Sequence, residues 1–203
     1  MQVAEHLGVI LAGGQSRRMG GGDKSLLALG SSTLLGHVIA RLSAQVHNIA
    51  LNTNGDPARF AAFGLPVLPD TVPDFPGPLA GILAAMEWAH GKGAATVITV
   101  AADTPFFPPD LVKGLAKAGG TAGFALATTG TAPDWHPTFG LWPVQLRDTL
   151  RHDLLAGHRK VIRWALANGA QAAMFDEADD PFFNINTPDD LEKAQQKLAQ
   201  HGL

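Results

Sequence analysis

The sequence predicts an α/β protein, a three-layer sandwich with a mostly parallel central sheet. Short apolar runs, typical of buried parallel strands, alternate with helical patterns through the first half of the chain. This alternation implies right-handed crossovers and a sheet that helices cover on both faces. The chain has 203 residues, of which 46% are hydrophobic, so we expect a single globular domain with a substantial core.

Each element follows from the local pattern, taken in chain order. In the first half, apolar runs predict strands at 8–12, 49–52, 66–68 and 96–101, and helical periodicity predicts helices at 34–45 and 79–88. In the second half, the patterns predict weaker strands at 124–127, 139–142 and 172–175, and helices at 110–118, 144–155 and 160–167. A last helix is predicted to begin after Thr187, its N-cap, with Pro188 in the first position. The segment 119–134 is predicted to be a mobile loop.

Composition and charge narrow the class of protein. The formal charge of −3 argues against a general nucleic-acid binder, which would be strongly basic. The absence of cysteine excludes disulfides, thiolate metal sites and thiol nucleophiles. The amino terminus lacks a signal-peptide pattern and no apolar stretch is long enough to span a membrane, so we expect a soluble cytoplasmic protein.

The segment 11–25 follows the first predicted strand and is rich in glycine and positive charge, with Arg17, Arg18 and Lys24 in one loop. Glycine lets backbone N–H groups approach an anion closely, so such a loop predicts phosphate binding. The loop is not a P-loop, because Asp23 stands where glycine must precede the lysine, and it lacks the dinucleotide fingerprint. Arg18 and Lys24 could neutralise charge as a phosphoryl bond breaks. A flexible surface loop is the alternative.

Asp103 follows the predicted strand 96–101, at the edge of the sheet where α/β proteins bind ligands. A lone carboxylate at this place suits Mg²⁺, which keeps several waters and takes its other ligands from substrate phosphates. The alternative is a turn aspartate ahead of Pro105. The eight histidines have no metal-binding spacing, so a zinc site is not expected.

Other polar and small residues are predicted to share this edge. Asn52 ends the second predicted strand and Asp70 follows the third, so each could bond a sugar or a base, or serve only as a turn residue, and Asp70 could also assist the metal. The turn at 75–81 leads into a helix, and its small residues would let a flat ring approach; the alternative is an ordinary junction between a loop and a helix. Asn184 and Asn186 would face one way in an extended segment, where amides read the edges of heterocycles well. Asn186 could instead only stabilise the turn before the last helix.

These motifs, in this order, make the sequence resemble the molybdenum cofactor guanylyltransferase (MobA) family, nucleotidyltransferases with a Rossmann-like sheet. The motifs are Leu-Ala-Gly-Gly-x-Ser-x-Arg-Met-Gly at 11–20 followed by Asp-Lys at 23–24, Pro-Gly-Pro-Leu-Ala-Gly at 76–81, Asp-Thr-Pro at 103–105, His-Pro-Thr at 136–138 and Asn-x-Asn-Thr-Pro at 184–188. The first motif alone is typical of nucleotidyltransferases broadly, whereas the combination is much more specific. The resemblance covers nearly the whole chain. It implies one nucleotidyltransferase domain over 1–203, with a nucleotide-binding half at about 1–105 and an acceptor-binding half at about 106–203.

The resemblance also implies which residues bind each substrate. GTP is implied to contact Leu11, Ala12, Gly13, Lys24, Asn52, Asp70 and Asp103, and Asp103 is implied to hold Mg²⁺ as well. Molybdopterin, the acceptor, is implied to lie near Gly14, Arg18, Gly21, Gly77, Gly81, Asn184, Asn186 and Arg159, with Lys160 as the alternative cation. Catalysis is expected to rest on Arg18, Lys24 and Asp103.

The implied reaction joins GMP from GTP to molybdopterin and releases pyrophosphate. The terminal phosphate of molybdopterin would attack the α-phosphorus in line, and it needs no strong base because a phosphate monoester is largely ionised near neutral pH. Positioning and charge neutralisation would therefore supply catalysis. The expected protein is a monomer or weak homo-oligomer that could meet molybdoenzyme chaperones but binds neither nucleic acid nor membrane.

Rival interpretations stay open at this point. A cytidylyltransferase or a sugar-phosphate nucleotidyltransferase would share the fold, and a non-catalytic nucleotide- or molybdopterin-binding adaptor would share the binding residues. The pair Gly13 and Gly14 favours guanine, because a side chain on residue 13 would narrow the space beside the base. Retention of both Lys24 and Asp103 argues against the adaptor.

Overall fold

The computed structural model describes residues 6–13, 23–72, 77–176 and 178–201. Its strands are β1 (Leu7–Leu11), β2 (Ala28–Leu29), β3 (Ser32–Thr33), β4 (Asn48–Asn52), β5 (Val67–Leu68), β6 (Thr96–Ala101), β7 (Ala125–Thr129), β8 (Asp134–Pro143) and β9 (Gln171–Phe175). Its α-helices are α1 (Leu34–Ser43), α2 (Pro78–Gly91), α3 (Leu111–Gly119), α4 (Arg147–Leu155), α5 (Val161–Ala167) and α6 (Pro188–His201). Short 3-10 segments lie at Lys24–Leu26, Pro57–Phe63, Gly120–Ala122 and Val144–Leu146. Every strand and helix predicted from the sequence has a counterpart here, with differences at the ends.

The main sheet has seven strands in the order β5-β4-β1-β6-β8-β7-β9, and β2 and β3 form a separate hairpin. β1 pairs in parallel with β4 and β6, and β4 pairs in parallel with β5. β8 is antiparallel to both β6 and β7, while β9 is parallel to β7. Within this sheet β8 alone runs against the other strands, which confirms the predicted mostly parallel sheet.

Helices cover both faces of the sheet, which confirms the predicted three-layer α/β fold. Apolar residues of α1 and α3 pack with Ile10 and Phe139 on one face. Residues of α2, α4 and α5 pack with Val9 and Trp142 on the other face. Val9 and Ile10 are both fully buried, because successive residues of a strand point to opposite faces and β1 lies inside the sheet. Within the described parts of the chain, no helix is long and apolar enough to cross a membrane.

A third, smaller cluster holds α6 against the β2–β3 hairpin. It is formed by Leu29, Leu34, Ile185, Ala194 and Leu198. The helix begins where the sequence predicts: Pro188 is its first residue, and Asp190 N donates to Thr187 Oγ1 at 3.2 Å. This packing brings the segment before α6 close to the early part of the chain.

The segment 119–134 is a correction to the sequence-based prediction. Instead of a mobile loop it contains β7, whose residues are all buried, and it leads directly into β8, which has 10 residues rather than the shorter strand predicted at 139–142. The apolar run predicts this strand only at 124–127, because Thr128 and Thr129 end the run, and β7 extends through both. In addition, the β7–β8 register shifts between Leu126 and Ala127, as at a β-bulge.

Thr99 supports a testable prediction about the β6–β8 junction, where the sheet changes direction. Its buried hydroxyl donates to Thr138 O at 2.8 Å and accepts from Trp142 Nε1 at 2.7 Å. Thr99→Val keeps the side-chain shape but leaves a buried indole N–H and a carbonyl without this partner. We expect the free energy of unfolding to fall by about 2–4 kcal/mol, measured by urea denaturation.

Thr121→Val is the matched control, because Thr121 is exposed. An equal loss of stability in both variants would show that the Thr99 hydroxyl does not hold the junction.

Candidate functional site

The carboxyl ends of four neighbouring strands meet at one edge of the sheet. Leu11, which ends β1, is paired with Asn52 of β4 and Ala101 of β6, and Asn52 is paired with Leu68 of β5. Just beyond the strands, Ala12 N donates to Asn52 O at 2.8 Å. The residues that the sequence predicts to bind nucleotide and that the structure describes therefore lie along this edge. Open α/β sheets bind their ligands at such an edge.

Lys24 is the centre of the polar contacts at this edge. Its ammonium donates to Asp103 Oδ2 at 2.6 Å and to Asn186 Oδ1 at 2.7 Å, with Asn184 Oδ1 at 3.5 Å. Asp103 lies 79 positions from Lys24 in the sequence, and Asn186 lies 162 positions from it. The fold thus assembles residues that the sequence analysis assigned to two different substrates.

The Lys24–Asp103 ion pair is sheltered from solvent. The Lys24 side chain is 12% exposed and that of Asp103 is 27% exposed. An ammonium group has three donors and no acceptor, so a carboxylate and two amide oxygens suit it. Solvent screens partly buried charges less than surface charges. The Lys24 ammonium and the Asp103 carboxylate therefore each keep a strong preference for an oppositely charged partner.

Backbone contacts fix both sides of this cluster. On one side, Lys24 begins a 3-10 turn whose next residue, Ser25, is buried. On the other side, Ile185 N donates to Asp103 O at 3.0 Å, and the Ile185 side chain is buried in the cluster under α6. The flanking Asn184 and Asn186 are thereby held against the end of β6.

Asp190, in the first turn of α6, further fixes the same segment. Its Oδ2 accepts from Asn186 N at 3.0 Å and from Thr187 N at 2.9 Å. These backbone bonds and that from Thr187 Oγ1 stabilise the carboxylate and hold the pKa of Asp190 below its usual value, with the Asn186 bond the largest cause. The turn before the last helix, which the sequence analysis kept as an alternative for Asn186, is therefore present. The side chain of Asn186 remains available to the cluster.

A second polar network lies at the ends of β4 and β5. Asn52 is buried, and its Nδ2 donates to Leu68 O at 3.0 Å and to Asp70 Oδ1 at 2.9 Å. Asn54 donates from Nδ2 to Asp70 Oδ2 at 2.8 Å and accepts from Asp70 N at 2.9 Å. We did not predict Asn54 from the sequence. The spacing of Asn52 and Asn54, which places them on one side of an extended segment, is the signal that could have found it.

Two glycines shape the space beside Asn52. A Cβ on Gly81 would lie only 2.3 Å from Asn52 Oδ1, so a side chain there would force Asn52 to shift. A Cβ on Gly13 would lie 4.0 Å from the same oxygen, at ordinary van der Waals distance. Because both hydrogens of the Asn52 amide are used, its Oδ1 faces the space between these glycines as an acceptor.

Gly77 occupies the turn predicted ahead of the second long helix. Its φ of 122° lies in the region that strongly favours glycine, and Pro78 follows as the first residue of α2. The residue therefore has a conformational reason to be glycine, and its predicted contact with the acceptor stays a prediction.

The remaining predicted site residues lie between α4 and α5 or outside the described chain. Arg159 lies between α4 and α5, where its Nη1 donates to Leu154 O at 3.1 Å and His158 O at 2.9 Å. Lys160 is the N-cap of α5. The residues Gly14, Arg18 and Gly21 lie outside the described residues.

His136 lies beside the segment that carries the two asparagines. Its Nε2 is 2.9 Å from Thr129 Oγ1, and its ring stacks on Phe182 with centroids 4.0 Å apart. Burial lowers the pKa of His136, while the charges of Asp134 and Asp180 act in the opposite direction. The His-Pro-Thr motif thus contributes a packing contact next to the site.

A groove of about 860 Å³ lies elsewhere, between α3, β9 and α6. Lys113, Phe175 and Lys197 are among its lining residues, and none of the described site residues belongs to the lining. Convergent polar groups, rather than this concavity, define the candidate site.

An open, mostly parallel sheet with a lysine, a carboxylate and amides at its carboxyl edge defines a nucleotide-binding protein of the α/β class. Comparison with known proteins gives the family: residues 8–177 match the model for the MobA-like NTP transferase domain. The chain belongs to this family.

Named relatives agree with that assignment, and a solved structure shares the fold. A molybdenum cofactor guanylyltransferase of Mesorhizobium japonicum is 50% identical over 197 residues, covering 94% of this chain and 95% of the relative. One from Bradyrhizobium sp. is 48% identical, covering 95% of this chain and 92% of the relative. The crystal structure of molybdopterin-guanine dinucleotide biosynthesis protein A from Archaeoglobus fulgidus has 24% identity and a TM-score of 0.72, covering 96% of this chain and 99% of that one. At that identity the structure supports the fold alone.

The depressed pKa of His136 predicts a pH dependence of stability. The unfolded chain takes up a proton on this histidine as the pH falls through its ordinary value near 6.5, whereas the folded protein takes it up only at lower pH. We expect the free energy of unfolding to fall between about pH 7.5 and about pH 5.5, and His136→Phe to reduce that fall. Urea denaturation at both pH values measures it.

His47→Gln is the control, because His47 is exposed. If His136→Phe and His47→Gln changed the pH dependence equally, the burial of His136 would not be its cause.

Proposed function

We propose that this chain transfers GMP from GTP to molybdopterin, forming the guanine dinucleotide cofactor and releasing pyrophosphate. The observation that carries the proposal is the convergence of Asp103, Asn184 and Asn186 on the Lys24 ammonium, at the carboxyl edge of the sheet. The names of the relatives at about half identity support the choice of substrates.

The reaction requires that one bond form and one break at the α-phosphorus of GTP. An oxygen of the terminal phosphate of molybdopterin attacks in line, and the bond to the bridging oxygen of the leaving pyrophosphate breaks. The attacking phosphate is already largely ionised near neutral pH, so no side chain has to remove a proton. Catalysis then rests on positioning and on neutralising the phosphate charges.

Lys24 is suited to that neutralisation. Its ammonium donates to the Asp103 carboxylate and to the amide oxygen of Asn186. The side chains of Lys24 and Asp103 are both partly exposed, so a ligand can reach them. The phosphates of GTP would offer the ammonium a stronger set of charged acceptors than the amides do. Lys24 would thus donate to the triphosphate and follow the charge as it moves to pyrophosphate.

The donor set beside Lys24 fits Mg²⁺. Asp103 contributes a carboxylate whose side chain is 27% exposed, and the amide oxygen of Asn186 is nearby. Hard oxygen ligands of this kind, completed by water and phosphate oxygens, are those that Mg²⁺ prefers. Asp103 would hold the ion, which when bound would supply positive charge to the phosphate oxygens.

The Asn52 network is suited to the nucleoside. Asn52 Oδ1 faces the space between Gly13 and Gly81 as an acceptor, and guanine carries N–H donors on its edge. A Cβ on residue 13 would lie 4.0 Å from that oxygen, so a side chain there would occupy part of the space beside it.

The direct test is an incubation of the protein with purified molybdopterin, Mg²⁺ and each nucleoside triphosphate separately, following pyrophosphate release. We expect release with GTP and much less with CTP, ATP or UTP. Release chiefly with CTP would identify a cytidylyltransferase, and GTP binding without any pyrophosphate would identify an adaptor.

Asp103→Ala and Lys24→Ala test the roles of the ion pair. We expect each to lower the rate of GMP transfer by about 100-fold or more, because each removes charge stabilisation from the transition state. Steady-state kinetics separates the effects: a rise in KM alone would make Lys24 a binding residue only.

Lys92→Ala is the control for a lost surface charge, because Lys92 is exposed beyond α2. Near-normal Mg²⁺-dependent transfer by Asp103→Ala would rule out Asp103 as the metal ligand.

A further inference from the structure

Arg59 lies in the 3-10 segment after β4, and its guanidinium contacts the residue that precedes Lys24 as well as Asn54, a member of the Asn52–Asp70 network. Its Nη1 donates to Asp23 Oδ2 at 2.6 Å. Its Nη2 donates to Asn54 O at 2.9 Å, and its Nε donates to Asp56 O at 2.9 Å. All three nitrogens of the planar group are therefore engaged in different directions.

The Asp23 contact bears on Lys24. Asp23 immediately precedes Lys24, and Asp23 O accepts from Leu26 N at 2.9 Å in the turn that Lys24 begins. The position of the Asp23 backbone therefore sets where the Lys24 side chain starts. A carboxylate that is bonded to a rigid guanidinium restrains that backbone more than a carboxylate in water would.

The Asn54 contact bears on the nucleoside side. Asn54 bonds Asp70 through both its amide nitrogen and its amide oxygen, and Asp70 bonds Asn52. The carbonyl that accepts the hydrogen bond from Arg59 Nη2 is the backbone carbonyl of Asn54. A shift of this backbone carbonyl would therefore also move the side-chain amide of Asn54, which bonds Asp70.

We infer that Arg59 is a positioning residue for GMP transfer, which fixes Lys24 relative to the Asn52–Asp70 pair through Asp23 and Asn54. The inference rests on the proposed function for the reaction concerned. The three hydrogen bonds described above, which Arg59 donates to Asp23, Asn54 and Asp56, do not reach Lys24 or Asn52. Arg59 therefore acts through its neighbours. Lysine is a poor replacement, because it offers one compact ammonium group where the guanidinium of Arg59 donates from three separate nitrogens.

The exposure of the Arg59–Asp23 ion pair distinguishes a role in positioning from a role in stabilising the fold. The Arg59 side chain is 38% exposed and that of Asp23 is 19% exposed. Ion pairs near the surface contribute little to stability. Loss of Arg59 should therefore leave the protein folded while it disturbs the geometry on which a positioning mechanism depends.

The experiment compares Arg59→Ala with Arg147→Ala. Arg147 is a matched control, because it also forms an ion pair with a neighbouring aspartate, Asp148, away from the site. We expect Arg59→Ala to lower kcat for GMP transfer by about 10-fold, with a smaller change in KM for GTP. We expect its melting temperature to stay within about 2 °C of that of Arg147→Ala, since little stability is at stake.

A double variant tests whether Arg59 acts through Lys24. If it does, adding Arg59→Ala to Lys24→Ala should cost much less than 10-fold in kcat, because Lys24 is no longer there to be positioned. Losses that simply multiply would overturn the inference, as would equal kcat values for Arg59→Ala and Arg147→Ala.

Equilibrium GTP binding distinguishes failure of the inference from failure of the proposed function. If the wild-type protein releases no pyrophosphate, the proposed reaction is wrong. Titration calorimetry with GTP then still tests whether Arg59 positions Lys24 and the Asn52–Asp70 pair. Weaker GTP binding by Arg59→Ala than by Arg147→Ala would then support it, and equal binding would overturn it.

Discussion

One ammonium group joins the parts of the chain that must meet for this site to exist. Lys24 comes from the early part of the chain, Asp103 follows the central strand β6, and Asn186 precedes the last helix. The parallel strands fix Asp103, and the packing of α6 on the β2–β3 hairpin brings the asparagines to the same place. Without the lysine, a carboxylate and two amide oxygens would face one another with no positive charge between them.

The Lys24–Asp103 pair also explains how the same residues can serve a charged ligand. In the Lys24–Asp103 pair each charge compensates the other, so neither is left alone in a sheltered place. A triphosphate and its cation would replace both partners at once, since the phosphates match the ammonium and the cation matches the carboxylate. Each of the two side chains would then keep one oppositely charged partner.

The sequence predicted the sheet and this edge because both follow from local patterns. Apolar runs locate β1, β4 and β6, and the rule that ligands bind at carboxyl ends then selects Asn52 and Asp103. The length and the reversed direction of β8 escaped prediction, although a shorter strand was predicted at 139–142, because both depend on contacts with distant residues, such as the hydroxyl of Thr99. Arg59 escaped for the same reason: its partner Asp23 lies 36 positions away, and no spacing rule connects them.

The order of the strands sets the distance between the two polar networks. β1 lies between β4 and β6, so Asn52, which ends β4, and Asp103, which follows β6, belong to strands that are two spacings apart, or about 10 Å. A nucleotide laid along this edge with its base near Asn52 would carry its phosphates toward Lys24 and pass over the end of β1 at Gly13. A reaction without a general base depends on keeping that separation constant. The sheet fixes the strand ends, but Lys24 lies on a turn outside the sheet, so its position needs a separate restraint such as the one Arg59 supplies.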